Sequence, residues 1–166
     1  MLVSLNLQAS RDMAEYDDLA KKVEANGWST YWYGPAPEAE IVRLEQLLSA
    51  KLPASFKRFL REYGGGGIGD RSISGIEAGN AANRGGGTVY GDTLRCRQVH
   101  ELPNGLVVVL FYDDEVCWCL DTTSFAGEEC PVVAYDVFKR EVDRTIAPSF
   151  AAFMTERLTL YSEPPK

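Results

Sequence analysis

Histidine is all but missing from this 166-residue sequence, cysteine is sparse, and no apolar run is long. The one histidine, His100, could serve a cysteine or serine nucleophile only if the fold brought one beside it, and it reads as a surface or loop residue. The longest apolar run, Leu106 to Tyr112, falls far short of the ~20 residues that a membrane-spanning helix needs. Neither a basic region nor a cleavage site marks Met1 to Ser10, so a cytoplasmic location is expected. In that reducing compartment Cys96, Cys117, Cys119 and Cys130 read as free thiols, without disulfides. Basic residues are in deficit too: 17 Lys+Arg stand against 24 Asp+Glu, a net charge of -7. Phosphate backbones and anionic membranes repel such a chain, so no direct nucleic-acid contact and no membrane are expected, whereas a basic protein would be attracted. There is also no repeat and no low-complexity tract.

The motifs that would carry catalysis fail on context. Gly64-x-Gly66-x-x-Gly69 satisfies the dinucleotide fingerprint in letters only. That motif follows a strand and opens a helix, whereas here a helical pattern precedes it, so the glycines read as a helix stop. Neither glycine cluster leads into Gly-Lys-Ser or Gly-Lys-Thr, which removes the lysine and hydroxyl of a phosphate-binding loop. Cys117-Trp118-Cys119 puts two sulfurs on one side of a strand, but the other candidate ligands for a zinc site are scattered, and buried thiols are the simpler reading. Asp113, Asp114 and Glu115 form an acidic turn that is either a binding surface or a solvated tip. No catalytic residue, cofactor or metal ligand is therefore expected; a hydrolase or metal enzyme built on these acids and His100 has only its carboxylates in favour.

What is present is the pattern of one α+β domain, long enough to bury ~70% of its unfolded surface. Ser10 reads as the cap of a first helix with Met13, Tyr16, Leu19 and Val23 on one face and Asn26-Gly27 as its stop. Trp28 to Pro37 reads as an aromatic loop; its tryptophan Trp32, with Trp28 and Trp118, is either core or interface anchor. Pro37 opens a second helix buried along Ile41, Leu44, Leu47 and Leu48, and Pro53 a third along Phe56, Phe59, Leu60 and Tyr63. Ser72 to Ile76 reads as a short strand, Gly79 to Gly87 as a loop, and Asp92 to Val99 as a weak helix. Leu106 to Tyr112 and Val116 to Leu120 form a hairpin around the acidic turn, Val132 to Tyr135 adds a strand, and Thr145 reads as the cap of a last helix through Ile146, Phe150, Phe153 and Met154.

Read together, Ile41-x-x-Leu44-Glu45, Leu52-Pro53-x-Ser55-Phe56-Lys57-x-Phe59-Leu60 and Tyr63-Gly64-Gly65-Gly66 resemble the opening signature of the SUKH superfamily, immunity proteins related to fungal cell-wall assembly regulators. The likeness continues through Leu102-Pro103-x-Gly105-Leu106-Val107-Val108, Cys119-Leu120-Asp121-Thr122, Glu129-Cys130-Pro131-Val132-Val133 and Ser149-Phe150-x-x-Phe153, in the manner of the bacterial branch. Gly64 stands where the family pattern leads one to expect Asn. The resemblance implies helices packed on a bent, mostly antiparallel sheet in one domain over 1–166, with 1–35 a helical extension and 36–160 the core. It also implies an immunity protein that binds and neutralises a cognate toxin, in such systems often a nuclease; the rival is a regulatory scaffold in signalling or envelope assembly. The expected contact groove joins Tyr63, Ile68 and Asp70 beside the glycine turn to Tyr112, Asp113, Asp114 and Glu115 in the hairpin. Monomer and homodimer both remain open.

Overall fold

Pro37 and Pro53 each open a helix, as their fixed φ and missing N–H suit them to do. The computed structural model describes residues 2–69 and 71–166. It places α2 at Glu38–Leu48 and α3 at Ala54–Glu62, and buries Ile41, Leu44 and Leu48 of the one and Phe56, Phe59 and Leu60 of the other. Proline brings no capping side chain, and for α3 a distant residue supplies one. The buried carboxylate of Glu129 accepts the Ser55 N–H at 2.9 Å and the Ser55 hydroxyl at 2.7 Å. Negative charge beside a helix N-terminus is favourable there, and the contact ties the loop before the third strand of the large sheet to α3.

The first helix, α1, spans Leu2–Ala25, so Ser10 lies within it and is not its cap. Its stop falls where expected, with Gly27 at φ 87. Tyr16, Ala20 and Val23 form its buried face, and its neighbours are α3 and the last helix.

The aromatic segment after α1 is not all loop. Thr30–Trp32 forms β1, paired antiparallel with β2, Gly66–Ile68, which pairs in turn with β3, Arg71–Ile73. Two of the glycines expected only to end α3 therefore build the central strand of a three-stranded sheet. Glycine is disfavoured in strands, but here it is required: Gly66 sits at φ 97, and a Cβ on it would run into the Tyr31 carbonyl. A short turn at Glu77–Gly79 leads through the expected loop to α4, Val89–His100, capped by the Thr88 hydroxyl and longer than its pattern suggests.

The large sheet runs in the order β4, Leu106–Tyr112; β5, Val116–Asp121; β6, Val132–Asp136; β7, Glu141–Ala147, all antiparallel. It meets the small sheet where the Ser74 N–H donates to the Val109 carbonyl at 2.8 Å. Val109 is an extra residue in β4: Val108 pairs with Cys119 and Leu110 with Trp118. A bulge of this kind resets the in–out alternation. Val107, Val109 and Leu110 accordingly all join the main core with α1, α2, α3 and the final helix, while Leu106, Val108 and Phe111 face a smaller core under α4.

Thr145 and Ile146 belong to β7, not to a helix; α5 starts later, at Phe150–Thr159, with Ser149 as its cap accepting the Ala152 N–H at 3.1 Å. The β-branched pair and the following Pro148 suit an edge strand that ends there. Among the described residues, two antiparallel sheets with five α-helices make this an α+β fold.

Candidate partner-binding surface

The hairpin turn comes first, because its backbone dictates what its acids can do. Asp113 and Asp114 lie at φ 52 and 53, the pair of positive values that a tight type I′ turn demands, and the Glu115 N–H closes it on the Tyr112 carbonyl at 3.0 Å. Short acidic residues tolerate this conformation better than most. Asp113, Glu115 and the edge of Tyr112 are exposed.

Asp114 is engaged. Arg95 grips both of its carboxylate oxygens, at 3.1 and 2.9 Å, and His100 Nε2 lies 3.2 Å from one of them. These contacts, Arg95 first, hold the Asp114 carboxyl below the usual carboxylate range. His100, expected as a plain loop residue, closes α4 with its side chain largely covered and its ring edge-on to Phe111. The turn is thereby clamped to α4 by two residues that no sequence spacing links to it.

On the glycine side the expected residues face inward. The Tyr63 hydroxyl donates to Asp17 at 2.9 Å, beside the Arg58–Asp17 ion pair at 2.6 Å, and its ring lies against Trp32 and Tyr16. Burial, then the bond to Asp17, pushes this hydroxyl well above the ordinary tyrosine range. Ile68 is buried and lines a narrow cleft with Ile73, Met154 and Leu158. Asp70 lies outside the described residues. Glu115, by contrast, lines a wider depression on β5, β6 and β7. Tyr112 to Glu115 are thus held together, while Ile68 opens onto a different cleft from Glu115.

The tryptophans divide their surfaces. Trp28 donates to the Glu163 carbonyl at 2.6 Å, Trp32 to Glu24 at 3.1 Å, and Trp118 lies edge-on to Phe153; all three are half-buried against the main core. The cysteines are buried and free, as expected. Cys117 Sγ lies 3.7 Å from Cys96 and 3.6 Å from Cys119, a cluster whose third member comes from α4 and could not be read from the strand. Contact with Cys117, then burial, pushes the Cys96 thiol far up; contact with Cys119, then burial, does the same for Cys117 against a smaller opposing effect of Cys96; and burial is the main cause for Cys130, pushed up to about 12. Such thiols are unreactive packing groups.

Sequence patterning passed over Phe138, in the turn between β6 and β7, which is 77% exposed. Its only signal was a large aromatic next to Lys139 and Arg140 in a turn. Among the described residues no helix is long and apolar enough to cross a membrane. A family model, SUKH_5, described as SMI1-KNR4 cell-wall, matches residues 16–159, from within α1 to the last residue of α5.

Proposed function

The chain belongs to the SUKH_5, SMI1-KNR4 cell-wall family, and we propose that it is an immunity protein that binds and neutralises a cognate toxin, a nuclease domain with a basic surface. Family membership carries this reading. The charge of -7 supports it, because an acidic inhibitor is steered electrostatically onto the surface with which a nuclease holds its substrate. In this reading the protein is a binding module of the cytoplasm and not an enzyme. The hairpin residues Tyr112, Asp113 and Glu115 contact the toxin, Asp114 fixes the turn through Arg95 and His100, and Tyr63 and Ile68 serve the packing of the fold elsewhere.

The test is affinity purification of the tagged chain from its native cells, followed by co-expression with a basic, toxin-like polypeptide that stays bound. Growth restored by the wild type, and delayed association of the purified pair when Asp113 and Glu115 are both changed to Lys, is the expected result. Absence of protection would sink the immunity reading. The family's cell-wall description favours one rival, a regulatory scaffold in signalling or envelope assembly. That rival calls for a growth or envelope defect on deletion of the gene in cells that meet no toxin.

A further inference from the structure

The helix layer covering the main-core face of the large sheet stops short of the hairpin end. From its first half α5 lays Phe153 edge-on to Trp118, and near its end it places the Arg157 guanidinium 5.7 Å from the Trp118 ring. Beyond this point a depression of about 270 Å³ opens, with Val116, Trp118 and Ala134 as its apolar floor. Glu115, Asp136 and Asp143 stand around it. Arg144 is paired with Asp143 at 2.9 Å, which leaves Glu115 and Asp136 to give the lining its excess of negative charge; Arg157 stands against the aromatic rings and Lys139 follows Phe138 in the turn.

Phe138 projects beside this floor and is held there. The Asp136 carboxylate accepts the backbone N–H groups of Phe138 and Lys139, both at 2.9 Å, which locks the turn that presents the ring. A rigid, exposed aromatic next to an apolar floor is the usual make-up of an interface anchor.

Two occupants are disfavoured by the same surface. Strand addition needs a regular outer ladder on β7, but its pairing skips Asp143 and Ile146: Ala134 and Tyr135 face Arg144 and Val142, and Val132 and Val133 face Ala147 and Thr145. Two bulges in one edge strand, with Glu141 to Thr145 all exposed and mostly charged, obstruct edge-to-edge pairing. A second copy docking across a two-fold axis would bring together two faces with the same excess of acids, between chains that each carry a charge of -7.

We propose that the open face of β5, β6 and β7, anchored by Phe138, docks a partner-protein segment carrying an apolar side chain flanked by lysine or arginine, through side-chain packing and not strand addition. It rests on the reading of this chain as a protein-binding module and adds a second surface beside the hairpin.

The test uses the isotope-labelled full chain and a short synthetic peptide of leucine and lysine, followed by amide shifts in NMR at low salt. Saturable shifts centred on Val116, Trp118, Ala134 and Phe138 are expected. Phe138→Ala should weaken binding about tenfold, Glu115→Lys with Asp143→Lys by a similar factor, and a leucine–glutamate peptide should not bind. All three positions border solvent, so the variants should fold; far-UV circular dichroism checks this. Shifts centred elsewhere, no saturable binding, equal binding of the glutamate peptide, or unchanged affinity in Phe138→Ala would each overturn the proposal. Because no toxin enters this measurement, a failure here with cellular protection intact removes this surface alone, and lost protection with peptide binding retained removes the immunity reading alone.

Discussion

Glu129→Ala should be among the most damaging single changes in this chain, although it removes no apolar surface. Among the described residues its carboxylate is the only side chain seen to cap α3, because Pro53 makes no side-chain cap. Removing it orphans the Ser55 N–H, a lost cap worth typically ~1 kcal/mol, and leaves the buried Ser55 hydroxyl without its acceptor, worth roughly 1–3 kcal/mol. The sum is about 3 kcal/mol, or a fall in Tm of roughly 9 °C for a domain of this size. Glu129→Gln keeps an acceptor for the N–H and offers an amide donor to the Ser55 oxygen, so its loss should be about 1 kcal/mol. The two are told apart by urea denaturation followed by circular dichroism. Burial raises the folded-state pKa of Glu129 above its unfolded value, outweighing the two bonds from Ser55. The stability linked to this group is therefore fully present below the unfolded pKa and lost as pH rises through the folded one. The Gln variant, which does not titrate, should lose less stability than wild type over that rise. An alanine variant within about 1 kcal/mol of wild type, or a glutamine variant as weak as alanine, would refute this account of the cap.

Three other outcomes are expected. Asp114→Asn, which keeps a side chain that tolerates the positive φ of the turn, should cost less than about 1 kcal/mol, as exposed ion pairs do, yet raise amide exchange in the hairpin turn; and because its folded pKa is lowered, the contribution of Asp114 should be present above its unfolded pKa and vanish as pH falls through the folded one, measured as the pH dependence of the wild-type minus variant stability. Gly66→Ala, which must fit a Cβ against the Tyr31 carbonyl at positive φ, should cost about 2 kcal/mol or more by chemical denaturation, against a fraction of that for Gly86→Ala, where a Cβ meets open space. The four thiols, all buried, should resist iodoacetamide in the native protein and react after unfolding, as read by intact mass; Cys96, Cys117 and Cys130 are also held protonated.

Local patterning determined most of the helices and the hairpin. Pro37 and Pro53 mark helix starts through their own φ, and the apolar spacing of α2 and α3 names most of the residues that end up buried, Leu47 and Tyr63 being half-buried. The run Leu106 to Tyr112, the acidic turn and the alternation after it specify β4 and β5 by themselves. The acidic balance and the family likeness are likewise properties of sequence alone. Contacts between distant segments decided the rest. Gly66 is a strand residue because β1 approaches too closely for a side chain, a requirement that exists only once β1 is there. Val109 is a bulge because β4 must serve two cores and meet Ser74, and Thr145 extends a strand because β6 offers it an edge. Asp114 is tied down by Arg95 and His100, Tyr63 by Asp17, and α3 by Glu129, in each case because folding places an opposite charge or an orphan donor beside a group that its chain neighbours leave unpaired. Sequence spacing reports what a residue does to its own turn of chain; desolvation and pairing depend on what arrives from elsewhere.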